Sequence, residues 1–418
     1  MSHYDVVVAG TGLAGLTAAT RLAEGGARVL VLAKGVGATH LSPCTIDVLG
    51  YAPERVERPG EALARLGDGH PYAAVGRDGV AAAIAWLQSV TEHYPYQGGV
   101  EENLLLPTAV GALKPSAAVP ETMAAGDLRG GGEVCVVGFR ALKDFHVPLL
   151  ADNLARAGIA ARAVELDLAP DRRADVNSLG FARAFDGPAV RAEVAARLVG
   201  RLGAGERVAL PAVLGIARPY AVWSELQERL GRRVFEVPTL PPSVPGMRVF
   251  AILRERLLRA GGRMILNAVV TGAERAGERV TAVRARVGLR EVSHGADWVV
   301  VATGGFASGG LELDSRWQTR ETALGLPVSG APGPGEERFR AGYFDDHPMA
   351  RAGVAVDRGL RPAGHANVLV VGATLAGAQP WREKSGDGIS LATGYRAAEL
   401  ILGAAGAAAR SHPATAEA

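Results

Sequence analysis

Cysteine is nearly absent from this 418-residue chain, which holds only Cys44 and Cys135. That excludes a disulfide framework and a self-contained four-cysteine zinc or iron–sulfur site, and reduced thiols in a cytoplasmic protein are the simplest reading. Long apolar runs are missing as well. No stretch offers the ~18 uninterrupted apolar residues of a transmembrane helix, and the alanine-rich stretch 397–409, interrupted by Glu399, is too short and too weakly apolar. Any membrane association is therefore expected to come through a partner. The chain enters a strand at once, without a basic and then apolar leader, so no signal peptide is expected. Charge of one sign is the third absence. The 45 basic and 43 acidic residues leave a formal charge of +2, which creates no global field to recruit nucleic acid. Arg28 and the pairs Arg172 with Arg173 and Arg232 with Arg233 read as solvated faces.

What is present is core material and glycine. With 48% hydrophobic residues, the length suffices for two or three domains, or for one large α/β domain with an insertion. The 55 glycines make an isolated glycine pattern weak evidence. The opening segment is more than that. Val6–Ala9 forms a short buried strand, Gly10, Gly12 and Gly15 follow in G-x-G-x-x-G spacing, and a helix runs from about Ala14 to Glu24. Gly25 and Gly26 end that helix, and Val29–Leu32 gives a second parallel strand. Gly10 permits the turn, Gly12 lets a phosphate approach the backbone, and Gly15 lets the helix pack on the strand. The first helical residues, Leu13 and Ala14, direct their N–H groups and the helix dipole at the same point. One element departs from the pattern. A dinucleotide site ordinarily closes its second strand with an acidic residue for the ribose, and here Lys34 stands there. An ammonium accepts no hydrogen bond, so the phosphate half of a ligand is better supported than the adenosine half; Lys34 also reads as a solvated strand end.

Beyond that strand, the small-residue loop GVGATHLSPCTIDVLGY lies where an open α/β sheet receives ligands, making Ala38 and Thr39 candidate contacts. Val80–Leu87 reads as helix and 104–119 as a hairpin or meander. A new βα step begins at Val134–Val137, continues in a helix over 149–157, and is joined by ARAVELDL, a helix over 190–202, a strand over 207–214 and a helical segment over 226–230. Alternating strands and helices indicate an inserted second α/β domain. The stiff stretch Pro238–Pro245 reads either as an inter-domain crossover or as a support holding Ser243 and Arg248 against a ligand. Arg248 opens a helix over 249–260, where its guanidinium suits an anion. The chain then returns to the opening fold through VTAVRARV, the strand Trp298–Val301 ending at Thr303, Gly304 and Gly305, and the strand Val368–Val371 ending at Gly372 and Ala373. A final helix over 389–402 is entered through Gly388 and Ile389. The expected division is 1–60 and 241–405 for the nucleotide-binding domain, 61–240 for the insertion, and 406–418 for a disordered tail.

An N-terminal GxGxxG unit, a late strand ending ATGG and a C-terminal NVLVVGA before a glycine-entered helix together resemble the two-dinucleotide-binding-domain flavoproteins, Rossmann-like proteins that build one flavin site from distant stretches. Narrower motifs, ATHLSPCTIDVLG, VCVVGFRALKDF, TLPPSVPGMR and ATGGFASGGLELD, resemble the B subunits of anaerobic glycerol-3-phosphate dehydrogenases, in the same order and over nearly the whole length. That resemblance implies one flavin, FMN by the family and FAD by the fold, a flavin-bearing A subunit, an iron–sulfur C subunit, and oxidation of sn-glycerol 3-phosphate to dihydroxyacetone phosphate with electrons passed to quinone. It also implies a peripheral place on the inner face of the cytoplasmic membrane. Two departures stand out: Ala373 occupies a position where related flavoproteins place an Asp, and the closing loop is WREKSGDG rather than a plain glycine run.

Oxidising a secondary alcohol needs a base, a hydride acceptor and cations for the phosphate. His40 and His347 are candidate bases, with a turn-stabilising histidine as the alternative for each. Arg248 and Lys384 are candidate phosphate partners, followed by Arg382, each otherwise a solvated cation. Two other classes remain: a fumarate reductase-like or ketosteroid dehydrogenase-like enzyme, indifferent to glycerol 3-phosphate, and a flavin-bearing electron-transfer or scaffold protein without turnover.

Overall fold

The computed structural model describes residues 2–170 and 173–411, so Arg172 and the tail beyond Ser411 lie outside the described residues. The chain forms two compact units: one takes the N-terminal segment to Ala38, Leu63–Ala83 and Leu253 onward, the other Thr39–Ala62 and Ile84–Ile252. The sequence division differs locally. Residues 39–60 and 241–252 group with the second unit, and Leu63–Ala83 with the first, where His70 Nε2–H donates to Glu383 at 3.2 Å; the last helix continues to Ser411, past the expected start of a disordered tail at 406.

The first unit is built on a seven-stranded sheet in the order Arg263–Leu266, Val29–Ala33, His3–Ala9, Arg290–Val301, Arg279–Val287 and Ala268–Ala276, with Val368–Val370 also paired to Arg290–Val301. The apolar runs of the opening strands pair in parallel and are buried on both faces, as a sheet covered on two sides requires. Val6 and Val8 pack towards the helices Leu13–Glu24 and Gly386–Ser411, while Val7 and Ala9 pack on the opposite side with Val354 and Val368. Strand Arg290–Val301 changes partner along its length. Arg290–Gly295 pairs antiparallel with Arg279–Val287, and Val299–Val301 pairs parallel with Val368–Val370. Asn367, fully buried, fills the switch: its Oδ1 accepts from the Val280 N–H and its Nδ2 donates to the carbonyls of Val280 and Asp297.

The second unit carries the α/β insertion expected from sequence. Its four strands, Val234–Val237, Arg207–Pro211, Glu133–Phe139 and Ala160–Leu166, form a parallel sheet in that order. Helices Val147–Arg156, Ser178–Asp186, Pro188–Leu198 and Pro219–Leu230 supply apolar faces to one core with Phe139, Phe181 and Phe185. The expected meander is two small antiparallel pairs, Leu104–Pro107 with Leu113–Ser116 and Tyr96–Gly98 with Ala118–Pro120. The helix predicted over 249–260 begins earlier, at Val244, because the Ser243 hydroxyl accepts from the Gly246 N–H and caps it.

In the first unit, the first and last helices cross where Gly394 faces Ala14: a Cβ at Gly394 would lie 2.3 Å from the Ala14 carbonyl oxygen. Gly394→Val forces these backbones apart and is expected to cost about 1–3 kcal/mol, measured as a lower urea midpoint with an unchanged m-value.

Candidate functional site

The parallel strands of the first unit discharge their glycine turns at a common edge, the carboxyl ends where open α/β sheets bind ligands. Strand His3–Ala9 runs into Gly10, whose φ of +117° suits glycine and whose Cβ, if present, would stand 2.2 Å from the Ala302 carbonyl oxygen. Gly15 approaches the Gly10 carbonyl oxygen as closely. Gly12 is different. It has an ordinary φ of −64°, it is the N-cap of helix Leu13–Glu24, and, its immediate chain neighbours aside, nothing lies within 4 Å of where its Cβ would be. The helix lacks both a side-chain cap and an acidic residue in its first turn, so its leading N–H groups face that open space with uncompensated positive potential. The Thr11 hydroxyl donates to the Gly35 carbonyl at 2.6 Å, and Gly37 closes on the Gly12 backbone, so the loop after the second strand borders the same turn. Lys34 and Ala38 in that loop are exposed.

Two threonines tie the other glycine turns together. The Thr374 hydroxyl accepts from the Gly304 N–H at 3.0 Å and lies 3.2 Å from the Gly304 carbonyl; the Thr393 hydroxyl accepts from the Gly372 N–H at 2.9 Å and donates to the Ile389 carbonyl. A Cβ at Gly372 would lie 2.9 Å from the Ala14 Cβ, and one at Gly305 3.0 Å from the Ala373 carbonyl oxygen. Gly10, Ala14, Gly304, Gly305, Gly372 and the start of helix Gly386–Ser411, which contains buried Gly388 and Ile389, are thus brought to one place. Thr374 and Thr393 were missed from sequence; their spacing from Gly372 and Ile389 was the available signal. The arrangement fits a flavin on two counts: Gly12 leaves open space at an uncapped helix N-terminus, the kind of place where phosphates bind, and the Thr303 hydroxyl is shielded from solvent without a hydrogen-bond partner.

The proposed catalytic side chains fare differently. Arg248 is a correction. It is 2% exposed in the second unit, its Nη1 and Nη2 bond both Glu236 oxygens at 2.7 and 3.0 Å, its Nε and Nη2 donate to the Gly215 carbonyl, and Nη1 also reaches the Tyr94 hydroxyl. Each guanidinium nitrogen is engaged, so no fork is left for a substrate phosphate. Burial pushes the Tyr94 hydroxyl up to about 12, keeping it protonated beside this pair. His347 is a second correction: Nδ1 accepts from the Arg340 N–H at 3.0 Å and Nε2 donates to the Tyr343 carbonyl at 3.1 Å, so the ring staples its own loop instead of offering a free base. Its acidic neighbours are turned elsewhere, Asp345 to the Gly342 N–H and Asp346 to Arg351.

His40, in the second unit, retains the chemistry of a base. Its ring meets Phe250 edge-on at 4.8 Å, its Nε2 is shielded and without a hydrogen-bond partner, and burial holds its pKa below the ordinary value, so it is neutral at pH 7. Thr39 beside it is buried with its hydroxyl likewise unpartnered. Lys384 adopts a left-handed conformation between Pro380–Glu383 and the last helix, and Arg382 lies 3.9 Å from Asp346. Among the described residues no cluster suits a metal ion, neither of the two buried cysteines is in a disulfide, and no helix is long and apolar enough to cross a membrane.

A protein-family model described as an FAD binding domain matches residues 5–389. A protein of Halobacterium salinarum, named as a probable B subunit of anaerobic glycerol-3-phosphate dehydrogenase, is 34% identical over 419 residues, covering 94% of this chain and 96% of the relative. This chain belongs to the family of anaerobic glycerol-3-phosphate dehydrogenase B subunits. Another B subunit of that name, from Pectobacterium carotovorum, is 32% identical, with 96% of this chain and 99% of that one covered. Among solved structures, a variant of E. coli quinol fumarate reductase FrdA aligns with 98% of this chain and 72% of its own at 10% identity and a TM-score of 0.43. As a B subunit, the chain is an FAD-binding-type oxidoreductase component with the Rossmann-like α/β fold expected from its glycine turns.

The Arg248–Glu236 pair gives a direct check on its structural role. Arg248→Leu strands a buried carboxylate and is expected to destabilise the second unit by about 3–5 kcal/mol, read by urea denaturation. Glu236→Gln in the same chain restores part of the loss, whereas a phosphate-binding arginine would leave stability unchanged.

Proposed function

We propose that this B subunit carries one flavin on the glycine turns of its first unit and serves in the oxidation of sn-glycerol 3-phosphate to dihydroxyacetone phosphate, with electrons passed to quinone through a complex containing a flavin-bearing A subunit and an iron–sulfur C subunit. The observation that carries the reading is the convergence of Gly10–Gly15, Thr303–Gly305 and Gly372–Thr374 with an open phosphate approach at Gly12. FAD is the flavin favoured by the family match over 5–389; the exposed Lys34, which offers no acceptor to a ribose, keeps FMN as the competing ligand. We place the protein in the cytoplasm, held at the inner face of the membrane by a partner.

A bound flavin supplies the hydride acceptor that the amino acids lack. The chain's own contribution is to hold it. Gly12 and the N–H groups of Leu13 to Gly15 receive phosphate, the Thr303 hydroxyl gains a partner, and the dipole of helix Gly386–Ser411 stabilises negative charge at its N-terminus. His40, neutral and with a free Nε2, is the residue proposed to accept the alcohol proton. Lys384 is retained as the proposed phosphate partner.

A second reading has its own support. With Arg248 consumed by Glu236 and His347 by its loop, two of the four expected substrate groups are removed, which favours a division of labour in which the A subunit oxidises substrate and this chain relays electrons. Purified alone and with its A subunit, the chain should bind one flavin, identified by mass, and that flavin should bleach on anaerobic addition of glycerol 3-phosphate. Bleaching in the isolated chain assigns oxidation here, bleaching only with the partner assigns it there, and none in either preparation contradicts the dehydrogenase reading. Gly12→Val should fold normally, since its Cβ meets open space, yet lose flavin by about 100-fold or more, a loss of ~3 kcal/mol in affinity. Unchanged flavin retention would refute the phosphate approach.

A further inference from the structure

Gln379 lies on the connection from the Gly372–Thr374 turn to the last helix, directly before the short helix Pro380–Glu383, and is 2% exposed. Its side-chain nitrogen donates to Asp346 Oδ1. That carboxyl is an obligate acceptor: the Arg351 guanidinium, against burial and aided by Gln379 itself, holds it down to about 2. A carboxylate bonds only donors, so the amide must present its nitrogen to Asp346 and its oxygen the other way. The oxygen, Oε1, is shielded from solvent and has no hydrogen-bond partner.

The backbone gives this side chain little freedom to escape. The Gln379 carbonyl accepts from the N–H groups of Arg382 and Glu383 at 3.0 Å, and its own N–H donates to Glu383 Oε1 at 2.9 Å. Glu383 is in turn bonded by the His70 ring and the Ser385 hydroxyl. A buried amide oxygen fixed in direction and left unpaired is unfavourable unless something brings it a donor.

We infer that Gln379 Oε1 is a ligand-contacting acceptor that takes a hydrogen bond from an uncharged donor, either a flavin ring N–H or a hydroxyl of the polyol substrate. The inference rests on the flavin reading above and adds a residue that neither the glycine pattern nor the candidate cations suggested. Gln379 anchors the connection at one end and offers a single acceptor at the other, which suits recognition of an N–H or O–H donor and discriminates against an anionic group.

The test is Gln379→Met, which keeps the side chain's volume and removes donor and acceptor together. The apoprotein is titrated with FAD and with FMN by flavin fluorescence quenching, and the loaded protein is then titrated anaerobically with glycerol 3-phosphate while the flavin spectrum is followed. If the donor belongs to the flavin, its Kd rises about tenfold or more; if it belongs to the substrate, flavin Kd is unchanged and the glycerol 3-phosphate concentration for half-maximal perturbation rises by that factor. Both values within about twofold of the unmodified chain would mean that a resident water completes Oε1, and would overturn the inference. Failure of the unmodified chain to bind either flavin overturns the flavin reading and this inference with it. Should Gln379→Met not fold, Asp346→Asn frees the amide to flip and should lose at least about threefold in one of the same two titrations, and no loss in either overturns the assignment.

Discussion

Close backbone approach at the carboxyl edge of the parallel strands is the constraint on which the first unit depends. A Cβ at Gly10 would lie 2.2 Å from the Ala302 carbonyl oxygen, one at Gly15 2.2 Å from that of Gly10, and one at Gly394 2.3 Å from that of Ala14. These crossings bring the opening turn, the late strand and the last helix together, and they succeed only because three side chains are missing. Gly12 is the counterexample within the same motif. Its backbone is unstrained and its Cβ space is empty, so nothing in the fold demands glycine there; a phosphate would. The motif thus separates into positions that fold the chain and a position that the fold leaves free for the phosphate of the proposed flavin.

In the second unit the dominant polar feature is internal. Arg248 and Glu236 are both almost wholly buried, and their desolvation is offset by bidentate pairing plus bonds to Gly215 and Tyr94. An arginine committed in this way orients elements rather than recognising a substrate. The same holds for His347, which closes the 340–347 loop through both ring nitrogens. His40 stands apart from these two residues, because its Nε2 makes no hydrogen bond.

Much of the framework was legible in the sequence for simple reasons. Val6–Ala9, Val29–Leu32, Trp298–Val301 and Val368–Val371 are short apolar runs each followed within three residues by glycine, a pattern that suits buried parallel strands, and the α/β class followed from their alternation with helices. Partner choice was not legible. Arg248 has the composition of an anion site, and only the tertiary fold puts Glu236, twelve residues earlier in the strand Val234–Val237, against it; a lone Glu in an apolar strand was the clue that a cation would be consumed there. The helix start at Val244 was hidden by prolines that suggested an extended crossover, although proline is well tolerated in a first helical turn. Gln379 carried no sequence signal at all, because its significance lies in an unpaired atom rather than in a motif.

The central claim is that glycine turns separated by hundreds of residues form one flavin site. Amide hydrogen exchange of the chain with and without saturating flavin tests it most directly. The account predicts that flavin slows exchange together in 10–15, 303–305, 372–374 and 386–389, segments joined here by Thr374, Thr393 and the glycine crossings. Protection confined to 10–15, with the other three segments exchanging as in the flavin-free chain, would contradict it.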